Sequence, residues 1–423
     1  MGIGNIVFIL VVLGAVFWFT KNLKTIIRNI NLGKDVDISD NKSERWKKMF
    51  LVAIGQSKMV KKPISGVLHI LVYLGFVIIN IEVLEIVIDG IFGTHRIFAS
   101  PLGGLYDLLI ASFEILALLV LLACVVFLIR RNVLAIKRFG FREMVGWPKT
   151  DANIILLAEV LLMGAFLSMN AADYFLQMQQ AEHYIQAGSF PVSSATFSFF
   201  EGYSTETLIA IERGMWWFHI VGILLFLNYL PYSKHFHIIL AFPNVFYSKL
   251  EPKAQFNNME SVKKEVELMF DPSADPYAAP AEPQGEPERF GAKDVTDLSW
   301  KQLMDAYSCT ECGRCTQQCP ASQTGKLLSP RKIMMDTRDR LEEVGKNIDK
   351  NGKDQPDGKS LLGDYIQEEE LWACTTCTAC VEACPVMINP LSIIMDMRRS
   401  LVMEESKVPS ELAGMVTNIE NNG

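Results

Sequence analysis

The sequence is poor in histidine, with only six among 423 residues, and none follows His237. It has no excess of positive charge: the formal net charge is −7, which argues against nucleic-acid binding as a main activity. There is no dinucleotide fingerprint of the G-x-G-x-x-G type, no P-loop and no pair of adjacent cysteines. Little of the chain alternates polar and apolar residues at period two, so strands are not expected and an all-α fold is.

What is present is unevenly distributed. Long apolar runs occupy the first 240 residues, and the remainder is polar and carries eight of the nine cysteines, between Cys309 and Cys384. The ninth, Cys124, sits inside an apolar run and reads as a small buried side chain. Clustered cysteines in a chain that is not secreted point to metal rather than to disulfides.

A bilayer is crossed by about 20 consecutive apolar residues. Five segments qualify, near 4–20, 64–88, 105–129, 153–172 and 210–231. Lys21 and Lys24 close the first as a stop-transfer helix would be closed, and no cleavage site of small residues follows it. The loop 21–63 carries eleven Lys and Arg and the loop 130–152 carries six, whereas 91–104 has only Arg96 and 173–209 has none. The basic loops face the cytoplasm by the positive-inside rule. The expected placement is therefore a multi-pass protein of the inner, cytoplasmic membrane, N-terminus outside, with everything after Tyr232 in the cytoplasm. Residues 1–242 form the expected membrane domain. A juxtamembrane helix and a Pro/Ala/Glu-rich linker are expected over 243–293, a cysteine-bearing helical domain over 294–408 and a polar tail over 409–423.

The cysteine domain contains an internal repeat. Cys309-Thr-Glu-Cys312-Gly-Arg-Cys315-Thr-Gln-Gln-Cys319-Pro320 is echoed by Cys374-Thr-Thr-Cys377-Thr-Ala-Cys380-Val-Glu-Ala-Cys384-Pro385. This is the bacterial ferredoxin spacing for [4Fe–4S] clusters, in which the fourth cysteine of each run ligates the other cluster. The expected ligand sets are Cys309, Cys312, Cys315 and Cys384 for one cluster, and Cys374, Cys377, Cys380 and Cys319 for the second. A pair of zinc sites would more usually show two separated C-x-x-C knuckles, often with histidine.

Four histidines lie in or beside the membrane, where an imidazole is costly unless it binds something. His69 lies on the second span about 10 Å inward from Lys62. His219 and His237 are 18 residues apart, which places them on one face, about 27 Å apart, if the fifth helix runs on through Pro231. His69 and His237 then share the inner leaflet and are candidates for one bis-histidine b-type haem. His219 is a candidate haem or quinone residue. Glu82, Glu85 and Glu114 lie near its level, and the four together form a candidate quinone or proton site. His95 and His183 fall in the outer loops, where a solvated role is expected.

At these residues the chain resembles known families. Val-Leu-His69-Ile, Phe218-His219-Ile-Val-Gly and Tyr-Ser-Lys-His-Phe-His237-Ile resemble the cytochrome b (gamma) subunit of respiratory nitrate reductase. The cysteine repeat resembles the two-cluster subunit of heterodisulfide reductases and the iron–sulfur subunit of anaerobic glycerol-3-phosphate dehydrogenase. The first resemblance implies a haem on His69 and His237. Ten residues beyond His69, where that pattern has a second histidine, this chain has Ile79, so one haem is expected and not two.

The resulting expectation is a five-transmembrane-helix bundle followed by a mostly helical dicluster ferredoxin domain. It would relay electrons between the quinone pool, haem b and two [4Fe–4S] clusters, to or from a cytoplasmic oxidoreductase. Catalysis on the final substrate is expected on a partner subunit bearing Cys-Cys-Gly motifs or a flavin, within a quinone-linked, heterodisulfide reductase-like enzyme. The rival reading is a non-catalytic, membrane-anchored iron–sulfur redox sensor or assembly anchor.

Overall fold

The computed structural model describes residues 2–134, 136–195, 200–271, 289–353 and 355–422. Most of the linker expected over 271–293 lies outside the described residues. The chain is all-α: among the described residues the only β pairings are isolated bridges at Lys34–Ser299 and Leu362–Ile366. It divides into two compact units. One comprises the chain to Lys24 together with Gln56–Phe236, and the other comprises Thr25–Gly55 together with His237–Gly423.

The first unit is built on helices Ile3–Ile30 (to Lys24), Pro63–Phe92, Gly104–Asn132, Trp147–Met178 and Thr205–Tyr229. Among the described residues five helices are long and apolar enough to cross a membrane. Their ends follow local chemistry. Pro63 opens the second, where its missing N–H costs nothing, and Gly93 closes it at φ 74°. Ser204 caps the fifth, its hydroxyl accepting from the Thr207 N–H at 3.3 Å.

Packing inside this unit relies on small residues at crossings. A Cβ on Gly75 would stand 2.3 Å from Val120 Cγ2, and one on Gly222 would stand 2.6 Å from Leu162 Cδ2. Helices that pack in lipid gain most from such close approach, because burying apolar surface gives no advantage there. Phe113, Ala117 and Val120 of the third helix, Phe166 of the fourth and Ile220 of the fifth make the interior, with Cys124 buried among them. Leu10, Phe17, Leu74, Leu122 and Leu161 point outward, as a lipid-facing surface requires.

The fifth helix does not run through Pro231. It ends at Tyr229, is followed by short 3-10 turns at Leu230–Tyr232 and Lys234–Phe236, and a new helix begins at His237. Asp151, buried on the fourth helix, holds the break: it accepts from Tyr229 Oη at 2.5 Å, Ser233 Oγ at 2.7 Å and the Lys234 N–H at 3.2 Å. The expectation that His219 and His237 share one continuous helical face is thereby corrected.

The second unit gathers short helices around Trp300–Tyr307, Pro330–Asn351 and Pro390–Arg399. The basic segment 25–55 belongs to this unit rather than to a free loop. Arg45, 3% exposed, donates to the carbonyls of Phe246 and Ser248 at 3.2 and 2.9 Å. The Lys34 N–H donates to Leu298 O at 2.7 Å, and Trp300 N–H returns a bond to Lys34 O at 3.0 Å. Ser410–Asn422, expected as a polar tail, is a helix whose Leu412, Met415 and Ile419 are exposed.

Gly33 makes the Lys34 pairing possible, because a Cβ there would stand 2.7 Å from the backbone of Ser299 and Trp300. Backbone cannot yield as a flexible side chain can. Gly33→Ala is expected to cost about 1–3 kcal/mol, read as an earlier thermal loss of the visible cluster absorbance. An unchanged midpoint would mean that the pairing contributes nothing to the unit.

Candidate functional site

The two cysteine runs fold alike. In the first, Glu311 and Gly313 adopt φ of 52° and 69°, and in the second the equivalent Thr376 and Thr378 adopt 55° and 60°. Left-handed residues at these two places turn the chain so that thiols three apart wrap a common centre. Each run then makes one short helix, Arg314–Gln318 or Ala379–Ala383, and stops at a cysteine followed by proline. Both runs lead into helices opened by proline and capped by a polar side chain. Ser329 accepts from the Lys332 N–H, and Asn389 from the Ser392 N–H. The repeat seen in the sequence is therefore a repeat of backbone conformation.

The thiols gather into two crossed groups. Cys384 of the second run has Cys312 and Cys309 as its thiol neighbours. Cys315 faces Cys312, Cys309 and Cys384, with Cys380 beyond. Cys319 of the first run stands with Cys374, Cys377 and Cys380. Seven of the eight are at least partly buried, and Cys377 is exposed. Backbone N–H groups point at the sulfurs: Thr376 N to Cys374 Sγ at 3.4 Å and Ile388 N to Cys384 Sγ at 3.3 Å. Glu311 N serves Cys309 in the same way.

Burial pushes the thiols of Cys309, Cys380 and Cys384 up to about 12. A group bound here as thiolate must therefore displace protons and supply compensating positive charge, as a metal does. Four soft sulfurs, amide donors to sulfur and a buried setting suit an iron–sulfur cluster. Among the described residues no three His, Cys, Asp or Glu side chains are placed to hold a single metal ion. Two cations flank the groups. Arg338 pairs with Glu311 at 2.9 Å, and Arg398 donates to Cys374 O at 2.6 Å while lying over the Trp372 ring.

The membrane residues singled out by sequence are placed as follows. His69 lies half-buried on the second span, and His237 is the first residue of helix His237–Phe246 in the other unit. His219 is 1% exposed, with Nδ1 3.0 Å from Leu162 O and its ring against Phe166. Glu114 is fully buried and fastens the segment after the fourth helix, accepting from the Val192 N–H at 2.9 Å, the Ser193 N–H at 3.1 Å and Ser193 Oγ. Glu82 and Glu85 instead line a cavity of about 280 Å³. His219 and Glu114 are not among its lining residues, but Asn170 accepts from Arg96 at 3.2 Å and donates to Glu114 at 3.3 Å. Of the four residues grouped from sequence, Glu82 and Glu85 therefore line the cavity, Glu114 stands behind it and His219 is elsewhere on the fifth helix.

The cavity brings in residues that sequence reasoning left in the outer loops. Arg96, 7% exposed, donates through Nε to Asp173 at 2.6 Å and through a terminal nitrogen to Tyr106 Oη at 3.1 Å. Tyr106 in turn donates to Glu85 at 2.8 Å, and the Phe98 N–H donates to the same carboxylate at 2.9 Å. His95, expected in solvent, has a side chain only 19% exposed, with Nε2 3.8 Å from Asp173. Burial pushes its imidazole down to about 4, against the pull of Asp173. The available signal was that Arg96 is the lone cation between two acid-bearing spans.

Comparison with known proteins agrees with the cysteine geometry. Residues 308–388 match the 4Fe-4S dicluster domain family. The chain is 30% identical to "Probable iron-sulfur-binding oxidoreductase FadF" of Bacillus subtilis, over 99% of this chain and 58% of that protein. It is 27% identical to "EtfAB:quinone oxidoreductase" of Syntrophomonas wolfei, over 92% of this chain and 53% of that protein. Over 28% of its length it is 35% identical to a component of the ferredoxin/F(420)H(2)-dependent CoB-CoM heterodisulfide reductase of Methanosarcina acetivorans, covering 60% of that component. The chain thus spans little more than half the length of the first two relatives. No solved structure matches it. The chain carries a 4Fe-4S dicluster domain together with apolar helices of membrane-spanning length.

Proposed function

We propose that this protein is a membrane-bound subunit that relays electrons between the quinone pool and a cytoplasmic oxidoreductase partner, through a b-type haem and two [4Fe–4S] clusters. The observation that carries the reading is the gathering of eight thiols into two crossed fours, in a chain whose described residues also include five helices of membrane-spanning length. One cluster is held by Cys309, Cys312, Cys315 and Cys384, the other by Cys374, Cys377, Cys380 and Cys319. Such clusters supply one-electron transfer. The protein supplies their sulfurs, N–H donors and burial, which tune how readily each takes an electron.

Quinone coupling is supported by the name of the Syntrophomonas wolfei relative and by the resemblance of the membrane residues to the cytochrome b subunit of respiratory nitrate reductase. The haem rests on the sequence positions of His69 and His237. The excess of Lys and Arg in loops 21–63 and 130–152 supports an outer N-terminus and a cytoplasmic iron–sulfur domain. Catalysis on the final substrate belongs to the partner.

The test is cofactor analysis of the anaerobically purified full chain in detergent. Iron and acid-labile sulfide of about eight atoms each are expected, with one b haem by pyridine haemochrome and cluster reduction on adding a hydroquinone. Intact clusters without haem, and without response to hydroquinone, would overturn the relay in favour of a sensor or anchor.

A further inference from the structure

The cavity of about 280 Å³ lies wholly within the first unit, between the start of the first helix, the far half of the second, and parts of the fourth and fifth. One wall is aromatic. Phe8 stands 5.3 Å from Trp216 and 5.9 Å from Trp217, and the two indoles are 5.3 Å apart. Gly90 admits the Phe8 ring, since a Cβ there would be 2.5 Å from it.

The rest of the lining is charged, yet nearly every charge is already matched. Arg96 is matched by Asp173, and Glu85 by Tyr106 and the Phe98 N–H. Glu212 is matched by Arg213 and Tyr184, and Asp89 by Thr94 and the Arg96 N–H. Two polar atoms of the lining differ: Glu82 Oε2 and His95 Nδ1 are buried and accept no hydrogen bond. Glu82 as a whole is 3% exposed. A buried polar atom without a partner costs on the order of 1–3 kcal/mol, and functional sites are where such a cost is tolerated.

We infer that this cavity seats the head group of a hydroquinone, with Glu82 Oε2 and His95 Nδ1 accepting from its two hydroxyls and the ring lying against Phe8, Trp216 and Trp217. The inference rests on the quinone reading above and gives that reading a place. Two unpartnered polar atoms and flat apolar rings in one cavity suit a planar aromatic diol. The matched arginines leave no surplus positive charge for an anion. The volume lies at the lower end for small-ligand pockets, enough for a head group and not for its tail.

The chemistry balances at these atoms. Oxidation of the bound hydroquinone breaks two O–H bonds. The two protons pass to His95 and to Glu82 in its ionised form, and the two electrons leave singly to one-electron carriers of the iron–sulfur class. His95 Nε2 is turned to Asp173, which leaves Nδ1, without a partner, as the acceptor.

The test is binding of 2-heptyl-4-hydroxyquinoline N-oxide, a hydroquinone mimic whose fluorescence is quenched on binding, to the full chain in lipid nanodiscs. Glu82→Met and His95→Leu, which remove the acceptors, are expected to weaken binding about tenfold each, a loss of one good hydrogen bond. Met169→Trp, which fills the cavity without touching a charge, is expected to abolish it. Unchanged helical circular dichroism and monodisperse elution in detergent across the three variants verify that the first unit of each is folded. Binding to the parent with unchanged affinity in all three variants would overturn the cavity assignment and leave the quinone reading standing. No binding to the parent would overturn both.

Discussion

Replacing Cys384 by serine is expected to remove the cluster of the first cysteine run, although Cys384 belongs to the second. Iron should fall from about eight to about four per chain. A pair of double variants decides which cluster was lost. If the ligands cross as the thiol neighbours do, Cys309→Ser with Cys384→Ser removes no more iron than Cys384→Ser alone, because both changes strike the same cluster. Cys374→Ser with Cys384→Ser then strikes both clusters and leaves almost none. An uncrossed pairing reverses the two results, so iron analysis separates the cases without relying on activity. The effect is large because a cubane deprived of one thiolate in a buried pocket is held by three sulfurs and opened to attack.

Arg340→Met is expected to be the most damaging single change that touches no cysteine. The Arg340 guanidinium, 2% exposed for the residue as a whole, joins two distant segments. It donates to both oxygens of Asp294 at 2.9 and 2.7 Å and to both oxygens of Asp357 at 2.5 and 2.9 Å. A further bond reaches Lys359 O at 2.7 Å. Asp294 in turn accepts from the Leu361 N–H at 3.0 Å, so the start of the domain and the loop after the long helix Pro330–Asn351 meet at this one cation. Methionine keeps most of the volume and leaves two carboxylates facing each other. Breaking a buried pair from one side costs about 3–5 kcal/mol, and a domain of this size would lose on the order of 10–20 °C in Tm.

The same contact sets a pH dependence. Hydrogen bonds from Arg340 hold the Asp357 carboxyl below its usual range. A carboxylate depressed in the folded state contributes stability that is present above its unfolded value, near 3.9, and lost as pH falls through the folded one. The gap in Tm between the parent and Arg340→Met should therefore be widest near neutrality and narrow below about pH 4. A shift of under about 2 °C at pH 7 would show that Asp294 and Asp357 find other partners.

The dicluster cysteine repeat was legible in the sequence, because its information is local. Steps of three residues between thiols, a left-handed residue between them and a proline after the fourth cysteine are short-range features that any surrounding fold must respect. The apolar runs were legible for a similar reason, since a helix of about 20 apolar residues has few alternatives in lipid. The grouping of Glu82, Glu85, Glu114 and His219 by depth was not enough. Depth along an axis says nothing of rotation about it, and Glu114 turned toward Val192 and Ser193 while His219 turned toward Leu162 O.

The break at Pro231 shows the same division. Proline was visible, but whether it kinks or ends a helix depends on what satisfies the backbone released. Here Asp151, on a different helix, supplies three acceptor contacts and fixes the end.

By itself, then, the sequence determined the element types, the apolar spans and the chemistry of the cysteine repeat, all of which depend on neighbours within a few residues. Only the tertiary structure decided that segment 25–55 packs with the iron–sulfur unit, that Arg96 and His95 fold back beneath Glu82, and that Arg340 ties Asp294 to Asp357. Each of those is a meeting of polar groups far apart in the chain, and it is set by which buried charge must find a partner rather than by any local pattern.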